Sequence, residues 1–296
     1  MADRNYKYIS YALLAIGIIC IGWSAIFVKF ADIPGPVSAL YRFLIAGAVI
    51  VPWQLFRRKK LPLKKDFILI AIGGIFFALD IAIWNMSLLL SPAATATLLN
   101  NSSPLWVGLA SLVIFRDKLP RRYWLGLLIT IAGMAFLVGR EALSQLEITR
   151  GNLLALASGG FYAAYIMITQ RARVRVDVPT FMAISISIGI IVLLAINLVM
   201  GTTLTGYPVK TWAALAGLGL VTHVGGWLSI NYALGHLHAA PVSVGLLGQV
   251  IITSILSIPL LGELLSINQI IGGILVLSGI LLANFRRRTA TTVISR

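Results

Sequence analysis

Asp80 lies well inside an apolar stretch of sequence that runs from about residue 67 to residue 89. Trp84 and Ser87 follow it at i+4 and i+7, a spacing that places all three on one face of a helix. A carboxylate in a long apolar helix is costly and usually faces a cavity or a paired base. Two interpretations stay open: Asp80 binds the amine of a ligand or exchanges a proton, or it is the structural partner of a buried base.

A polar break interrupts a second apolar run. The stretch LNNSSP (99–104) supplies four polar side chains and a proline, which weaken the backbone hydrogen bonds of a helix and add groups that can bind a ligand. Asn101 and Ser103 are the candidate contacts. A second break, LLGQV (246–250), contains Gln249. The simpler alternative is a helix kink whose polar groups are satisfied by neighbouring helices.

Aromatic residues at depth could form the apolar walls of the same site. Trp23, Trp84, Tyr162 and Trp227 lie inside apolar runs rather than at their ends. Each one alone is more often part of a packed core. Aromatic walls with a few amides nevertheless suit a hydrophobic zwitterion better than a sugar phosphate, because a phosphate would call for several Lys or Arg at the same depth, and the sequence places none there.

Three charges gather where the first apolar run ends and the second begins: Lys29, Asp32 and Arg42. The neighbours of Arg42 at i±3 and i±4 are mostly small or polar, which suits a packed helical bundle rather than lipid. One interpretation is a structural pair of Asp32 with Arg42 or Lys29, with the long side chains reaching toward water. The other is an outer vestibule in which Arg42 or Lys29 attracts a carboxylate.

The elements that must position these residues are membrane-spanning helices. The chain has 296 residues, of which 59% are hydrophobic and only 11% charged, whereas a soluble domain carries about 25% charged residues. Its apolar runs approach the roughly 20 residues that span a bilayer, and the alternation of barrel strands is absent. The runs lie near 8–31, 37–56, 67–89, 93–115, 123–139, 151–170, 179–200, 211–233, 239–261 and 268–285. We predict an all-α integral membrane protein with ten transmembrane helices, the first of them uncleaved.

The basic residues predict the orientation of these helices. Nineteen of the 24 Lys and Arg residues fall in segments that are cytoplasmic if the N-terminus is cytoplasmic, and three (Arg140, Arg150 and Lys210) fall in outer loops. This asymmetry is a positive-inside signal and predicts that both termini are cytoplasmic. Short basic clusters between apolar runs do not resemble a nucleic-acid-binding surface, so we predict no nucleic-acid partner in spite of the formal charge of +15.

The two halves of the chain resemble each other at an offset of 146 residues. The matched pairs include Asn85 with Asn231, Asp117 with Glu263, Gly126 with Gly272 and Gly133 with Gly279. A series of matches without a gap indicates a repeat. Each half, 1–146 and 147–296, would hold five helices, and because five is odd the second half enters the membrane inverted. Inverted repeats are typical of transporters that bind substrate near the midplane between the halves.

Enzymatic and metal chemistry find little support in the sequence. It has no GxxxxGK[ST] loop for a nucleotide, and its nine carboxylates are scattered. The single cysteine, Cys20, excludes an internal disulfide. His236 and His238 stand close together at a turn without a third ligand nearby. We therefore predict no catalytic residues, no metal and no cofactor.

Four stretches resemble the EamA-type family of drug/metabolite transporters. They are GWSAIFVKF to PVSALYRFLIAG (22–47), the segment from NNSSPLW to MAFLV (100–138), GGFYAAYIM (159–167) and SILSIPLLGELL to GILLAN (254–284). The resemblance implies ten helices in two inverted five-helix repeats and export of small metabolites, with the YddG-like exporters of aromatic amino acids as the nearest group. The acidic GE pattern of the family is present at 262–263 but departs to RD at 116–117.

We therefore predict a secondary transporter that exports small amphipathic metabolites, above all aromatic or other hydrophobic amino acids, across a bacterial inner membrane by alternating access. Its partners would be the small-molecule substrate and membrane lipid, with proton coupling and oligomeric state left open. Polar contacts would come from Asp80, Asn85, Asn101, Ser103, Asn231 and Gln249, and apolar walls from Trp23, Trp84, Tyr162 and Trp227. The main alternative is efflux of lipophilic cations or drugs, with Asp80 as a lone anionic site. A passive channel and an intramembrane enzyme rank lower.

Overall fold

The computed structural model describes residues 2–59, 61–90, 99–114, 116, 119–138, 149–261 and 267–284. Within these ranges the regular structure is helical and contains no strand. The α-helices are α1 (Ala2–Gly22), α2 (Ser24–Ala31), α3 (Gly35–Phe56), α4 (Lys64–Leu90), α5 (Ser103–Val113), α6 (Arg121–Val138), α7 (Arg150–Arg173), α8 (Val178–Met200), α9 (Val209–Gly217), α10 (Leu228–Leu234), α11 (Ala239–Leu246), α12 (Gln249–Leu261) and α13 (Ile267–Asn284). The matched carboxylates Asp117 and Glu263 lie outside the described residues.

Seven spans in the described part of the chain are long and apolar enough to cross a membrane. They are Tyr8–Ala31, Gly35–Phe56, Lys64–Ser87, Arg150–Arg173, Val178–Met200, Val209–Leu234 and Ala239–Leu256, with shorter apolar helices at Ser103–Val113 and Ile270–Asn284. Large apolar side chains cover the outside of the bundle, such as Val199 at 89% exposure. The prediction of a helical membrane protein is confirmed, because such a surface requires lipid around it.

Local sequence signals account for several helix ends. The Asp177 carboxylate accepts a hydrogen bond from the backbone N–H of Thr180 at 3.0 Å and so caps the start of α8. Thr149 caps α7 in the same way through the N–H of Asn152, at 3.2 Å. At the other end of α8, Gly201 adopts the left-handed conformation with φ of 63°, which costs glycine little.

Helices α6 and α13 pack with their backbones nearly in contact, through glycines. A Cβ added to Gly126 would lie 2.6 Å from the carbonyl oxygen of Gly279, and one added to Gly133 would lie 2.8 Å from that of Gly272. No side chain fits at such distances. Small residues permit this kind of close helix crossing in membranes, where van der Waals packing holds helices together.

Ion pairs hold the end of the bundle where α3 stops and α4 begins. The Asp66 carboxylate accepts hydrogen bonds from Arg175 at 2.7 and 2.9 Å. Asp177 pairs with Arg57 at 3.3 Å and with Lys59 at 2.5 Å. We call these five residues the end cluster. Because Arg175 and Asp177 belong to the connection between α7 and α8, the cluster ties the first half of the chain to the second.

A π-helical segment, Leu218–Trp227, connects α9 to α10 where the sequence predicted one simple helix over 211–233. Its glycines allow close packing: a Cβ on Gly226 would meet Ile21 of α1 at 2.8 Å. Glycine also has little intrinsic preference for the α-helix. Apolar periodicity does not distinguish a π-helix from an α-helix at this length, which is why the sequence pattern missed it. Wide turns of this kind are rare and frequent at functional sites.

Candidate functional site

One cavity of about 230 Å³ lies between the two halves of the bundle. Its size is near the lower end of ligand pockets, which begin at about 300 Å³, and this favours a small ligand. The cavity is lined by Ile21, Ser24, Ala25, Ile26, Lys29, Arg42, Phe77, Asp80, Ile81, Trp84, Asn100, Asn101, Tyr162, Trp227, Gln249, Val250, Thr253 and Ser254. Helices α2, α3 and α4 thus face α7, α12 and the end of the π-helical segment.

The break between α1 and α2 places a hydroxyl opposite a buried cation. The regular helix is interrupted at Trp23, and Ser24 begins the next one. The Oγ of Ser24 accepts a hydrogen bond from Nη1 of Arg42 at 3.2 Å. Arg42 is only 7% exposed and lines the cavity. Asp32 is exposed at the end of α2, and no ion pair within 4 Å joins it to Arg42.

Asp80 also lines the cavity and is held by a side-chain network. The amide Nδ2 of Asn100 donates to Oδ1 of Asp80 at 3.0 Å and to the hydroxyl of Ser158 at 2.6 Å. The Ser158 hydroxyl in turn donates to the carbonyl oxygen of Ala155 in α7 at 2.9 Å. Asp80 is 6% exposed. A buried carboxylate held by a neutral amide keeps its capacity to bind a cationic group, because no base within 4 Å in the described residues neutralises it.

The two polar breaks seen in the sequence meet in the structure. The amide Nε2 of Gln249, the first residue of α12, donates to Oδ1 of Asn101 at 3.2 Å. Both residues line the cavity. This bond places a side-chain contact between the halves directly at the wall of the cavity, and it links a turn of the first half to the start of a helix of the second.

Aromatic rings form the rest of the wall. Phe77 and Trp227 lie with ring centroids 4.6 Å apart, and Tyr162 meets Trp227 edge-on at 5.8 Å. Phe77 also stacks on Tyr165 at 4.2 Å, which fixes its plane from behind. Edge-to-face and stacked pairs of this kind restrain the rings. Trp84 completes the aromatic part of the lining.

Six of the ten substrate-binding residues predicted from the sequence line this cavity: Asp80, Trp84, Asn101, Tyr162, Trp227 and Gln249. The other four lie elsewhere. Trp23 stacks on Phe27 at 5.5 Å, and Asn85 donates to the carbonyl oxygen of Gly35 at 2.8 Å. Asn231 hydrogen-bonds the hydroxyl of Tyr165 at 3.3 Å. Ser103 is buried at the start of α5.

The structure adds lining residues that the sequence did not single out. Asn100 stands next to Asn101 in the same polar break, and only the side chain's direction, which the sequence does not carry, distinguishes the two. Ser24 and Phe77 carried no signal of their own among apolar neighbours. His223 is buried behind Phe77, with ring centroids 5.6 Å apart. In the part of the chain described, no group of three or more His, Cys, Asp or Glu could hold a metal ion.

A bundle of long apolar helices around a small polar and aromatic cavity defines a membrane protein that handles small molecules. The family follows from the sequence matches. The EamA-like transporter family matches residues 8–139 and 149–285, and the chain belongs to it.

Three individual relatives share about a quarter of their residues with this chain. The uncharacterized transporter YyaM of Bacillus subtilis is 25% identical over 258 residues, covering 83% of each chain. An uncharacterized transporter of Archaeoglobus fulgidus is 25% identical over 94% of this chain and 98% of its own. The pseudopaline exporter CntI of Pseudomonas aeruginosa is 24% identical over 73% of this chain and 75% of its own. One crystal structure, 18% identical, shares the fold with a TM-score of 0.77 and covers 95% of this chain and 97% of that one.

Proposed function

We propose that the protein exports small amphipathic metabolites, with aromatic and other hydrophobic amino acids as its main substrates. The observation that carries the proposal is the composition of the cavity, where the carboxylate of Asp80 and the guanidinium of Arg42 share one small space with aromatic rings. An amino acid presents an ammonium, a carboxylate and an apolar side chain, and each of these has a matching group in the wall. Binding sites of this kind are mostly apolar with a few placed polar groups.

Alternating access between two inverted five-helix repeats, 1–146 and 147–296, is the mechanism that we propose. The crossing of α6 and α13 supports it. At the offset of 146, Gly126 corresponds to Gly272 and Gly133 to Gly279, while the contacts run from Gly126 to Gly279 and from Gly133 to Gly272. If each glycine is replaced by its counterpart in the other half, the contact of Gly126 with Gly279 becomes that of Gly272 with Gly133. A two-fold axis between inverted repeats requires this relation.

The distribution of charge supports a state that is closed at one end. Arg42 lies near the start of α3, whereas Arg57 of the end cluster follows its last residue, about 22 Å away at 1.5 Å per residue. We propose that the end cluster and both termini are cytoplasmic, which the positions of the basic residues favour. The cavity then lies in the outer half of a bacterial inner membrane, and the end cluster holds the cytoplasmic side closed. Opening to the cytoplasm requires these ion pairs to separate.

Two further observations bear on direction and on the alternative substrate. The relative CntI is named an exporter, which supports export here.

The second candidate function is efflux of lipophilic cations, which rests on Asp80 and the surrounding rings, because aromatic faces and a carboxylate both attract cations. It leaves Arg42 without a role, and we rank it second for that reason. A passive channel or an intramembrane enzyme would not need the matched halves.

Counterflow in proteoliposomes tests the proposal. Purified protein is reconstituted in vesicles preloaded with unlabelled phenylalanine, and uptake of labelled phenylalanine is followed against empty vesicles. A carrier exchanges the two, so preloading should accelerate uptake several-fold and the rate should saturate with concentration. Equal rates with and without preloading would exclude a carrier for this substrate. Acceleration by a preloaded lipophilic cation such as tetraphenylphosphonium, and not by phenylalanine, would favour the second candidate.

A further inference from the structure

Arg42 is a buried cation whose hydrogen-bonding capacity is largely unused. A guanidinium offers five N–H donors in a rigid plane. The bond from Nη1 to Ser24 uses one of them, and Nε is buried without a hydrogen-bond partner among the described residues. Neither Asp32 nor Asp80 forms an ion pair with it. Buried charges in membrane proteins are normally paired, and an unpaired one that lines a cavity marks a functional site.

Two more unpaired donors belong to residues of the same cavity. The indole Nε1 atoms of Trp84 and Trp227 are both buried without a partner in the described part of the chain. Both residues line the cavity together with Arg42. Buried polar groups are nearly always satisfied in a functional state. Three unpaired donors therefore belong to residues that line one cavity, and a small shift of these side chains would offer them to an acceptor-rich ligand.

The charges of the cavity point the same way. Lys29 and Arg42 are both in its lining, and Asp80 is the carboxylate among the lining residues. The amide of Asn100 already occupies one oxygen of Asp80. Arg42 and Asp80 form no ion pair within 4 Å of each other, and both line the cavity. A ligand in the cavity can therefore carry one group for each.

We propose that Arg42 and Ser24 form a carboxylate-binding subsite, and that this subsite restricts the substrates to molecules with a carboxylate. The inference deepens the proposed function and rests on it for the step of transport. The guanidinium plane matches a carboxylate with two parallel hydrogen bonds, which Lys at the same position could not reproduce. The Ser24 hydroxyl fixes the orientation of that plane.

The subsite sets how a zwitterion lies in the cavity. Its carboxylate binds Arg42, and its ammonium, attached to the same carbon, is turned toward Asp80. The side chain then lies against the rings of Phe77 and Trp227. A simple amine or a lipophilic cation matches Asp80 alone and meets Arg42 with a like charge. Such cations bind more weakly, which separates this proposal from cation efflux.

The first test uses the unaltered protein and three ligands of the same shape. L-Phenylalanine has both charges, L-phenylalaninamide lacks the carboxylate, and 3-phenylpropionate lacks the amine. Each competes with labelled phenylalanine in the counterflow assay, and each is titrated against purified protein in a thermal-shift measurement. We expect the amide to bind roughly 10- to 100-fold more weakly than phenylalanine, the range that one charge-assisted hydrogen-bonding pair supplies. Equal binding of phenylalanine and its amide would overturn the proposal.

The second test changes the subsite. Arg42→Gln should lose the preference for phenylalanine over its amide, and Arg42→Lys should restore it only in part, because Lys provides charge without the planar fork. Arg121→Gln, which removes an exposed guanidinium at the start of α6, is the matched control and should keep the wild-type preference. If Arg42→Gln does not fold, Ser24→Ala replaces it and should weaken phenylalanine binding more than amide binding. An unchanged preference in the folded variant would contradict the proposal.

The two proposals can fail separately. If phenylalanine shows no counterflow, the proposed function fails, and 3-phenylpropionate still reports on the subsite through the thermal shift. Stabilisation of the wild type and of Arg121→Gln, but not of Arg42→Gln, would then support the carboxylate site alone. Equal stabilisation of the wild type, Arg121→Gln and Arg42→Gln by 3-phenylpropionate would contradict the carboxylate subsite.

Discussion

The amide of Gln249 donates to Oδ1 of Asn101 at 3.2 Å and so connects the two polar breaks of the chain at the cavity wall. Asn101 is 2% exposed, and its oxygen would be left buried without this donor. Gln249→Leu should therefore lower the free energy of unfolding by about 1–3 kcal/mol. Thermal unfolding in detergent measures the change. The control Gln170→Leu removes a half-buried amide at the far end of α7 and should cost under about 0.5 kcal/mol.

Asn100 is expected to act through Asp80. Because its amide holds both Asp80 and Ser158, Asn100→Leu should raise the half-saturating concentration for transport by about tenfold, as Asp80 loses its orientation. Asn284→Leu is the control, since that amide bonds the carbonyl oxygens of Pro241 and Ile280 outside the cavity. Saturation curves of transport measure the half-saturating concentration for both variants. A similar increase in the two variants would show that Asn100 has a structural role only.

Asp80→Asn should fold normally and lose transport or its dependence on pH. The amide has the same shape and can still accept from Asn100, so the thermal midpoint should stay close to that of the wild type. The charge that faces an ammonium or carries a proton is gone. Initial counterflow rates between pH 5.5 and 8.5 make the comparison. Full activity with an unchanged pH profile would remove Asp80 from the proposed site.

Asp177 should make the stability of the fold depend on pH in the acid range. Partial burial acts to raise the pKa of this carboxyl, but hydrogen bonds from Lys59 and Thr180 and the charge of Arg57 outweigh it and hold the pKa well below its usual value. A carboxyl whose pKa is lower in the folded state stabilises that state above its unfolded pKa of about 3.9, and the contribution is lost as the pH falls below it. Thermal midpoints between pH 7 and pH 3 measure this loss.

Two variants isolate the contribution of Asp177. Asp177→Asn should be less stable at pH 7 by about 1 kcal/mol, since the N-cap charge and the ion pairs are removed, and its midpoint should fall less steeply on acidification. Asp32→Asn is the control: Asp32 is exposed with φ of 50°, a conformation that Asn adopts readily. An equally steep acid dependence in Asp177→Asn would place the titration elsewhere.

The glycine crossing of α6 and α13 predicts a large effect from one methyl group. A Cβ on Gly126 would lie 2.6 Å from both the backbone nitrogen of Ala283 and the carbonyl oxygen of Gly279, and backbone atoms cannot move aside cheaply. Gly126→Ala should destabilise the fold by about 1–3 kcal/mol or more. Gly273→Ala, in α13 with open space around it, should be neutral or stabilising. Chemical or thermal unfolding of both variants gives the difference.

Much of the fold could be predicted from the sequence, because bilayer thickness fixes the length of a spanning helix and lipid requires an apolar surface. The glycines matched at the offset of 146 were predicted only as signs of a repeat, and the structure places them in contact. Asp177 and Thr149 are residue types that favour helix N-caps, so these two helix ends carry a local signal in the sequence. The π-helical segment could not be predicted, since the wider turn of a π-helix produces no recognisable pattern in a uniformly apolar stretch.

Six of the ten residues predicted for the site line the cavity, and one cause explains why the other four lie elsewhere. Asp80 was found because charge is rare at that depth. Asn85 and Asn231, equally polar and matched between the halves, instead satisfy the Gly35 carbonyl oxygen and the Tyr165 hydroxyl. In helices that are apolar on every face, the sequence shows how deep a polar residue lies but not which way it points. For Arg42 the sequence left a structural pair and an outer vestibule open, and in the structure its side chain lines the same cavity as Asp80.

The π-helical segment makes the two halves unequal. At the offset of 146, residues 218–227 correspond to residues 72–81, which form regular α-helix inside α4. In the alternating-access cycle proposed above, identical halves would by symmetry alone give the outward-open and inward-open conformations the same free energy. A segment that is wound differently in one half removes this degeneracy, so the resting population of the two conformations is a property of this sequence. Converting the segment to regular helix should therefore shift that resting population while the binding groups stay the same.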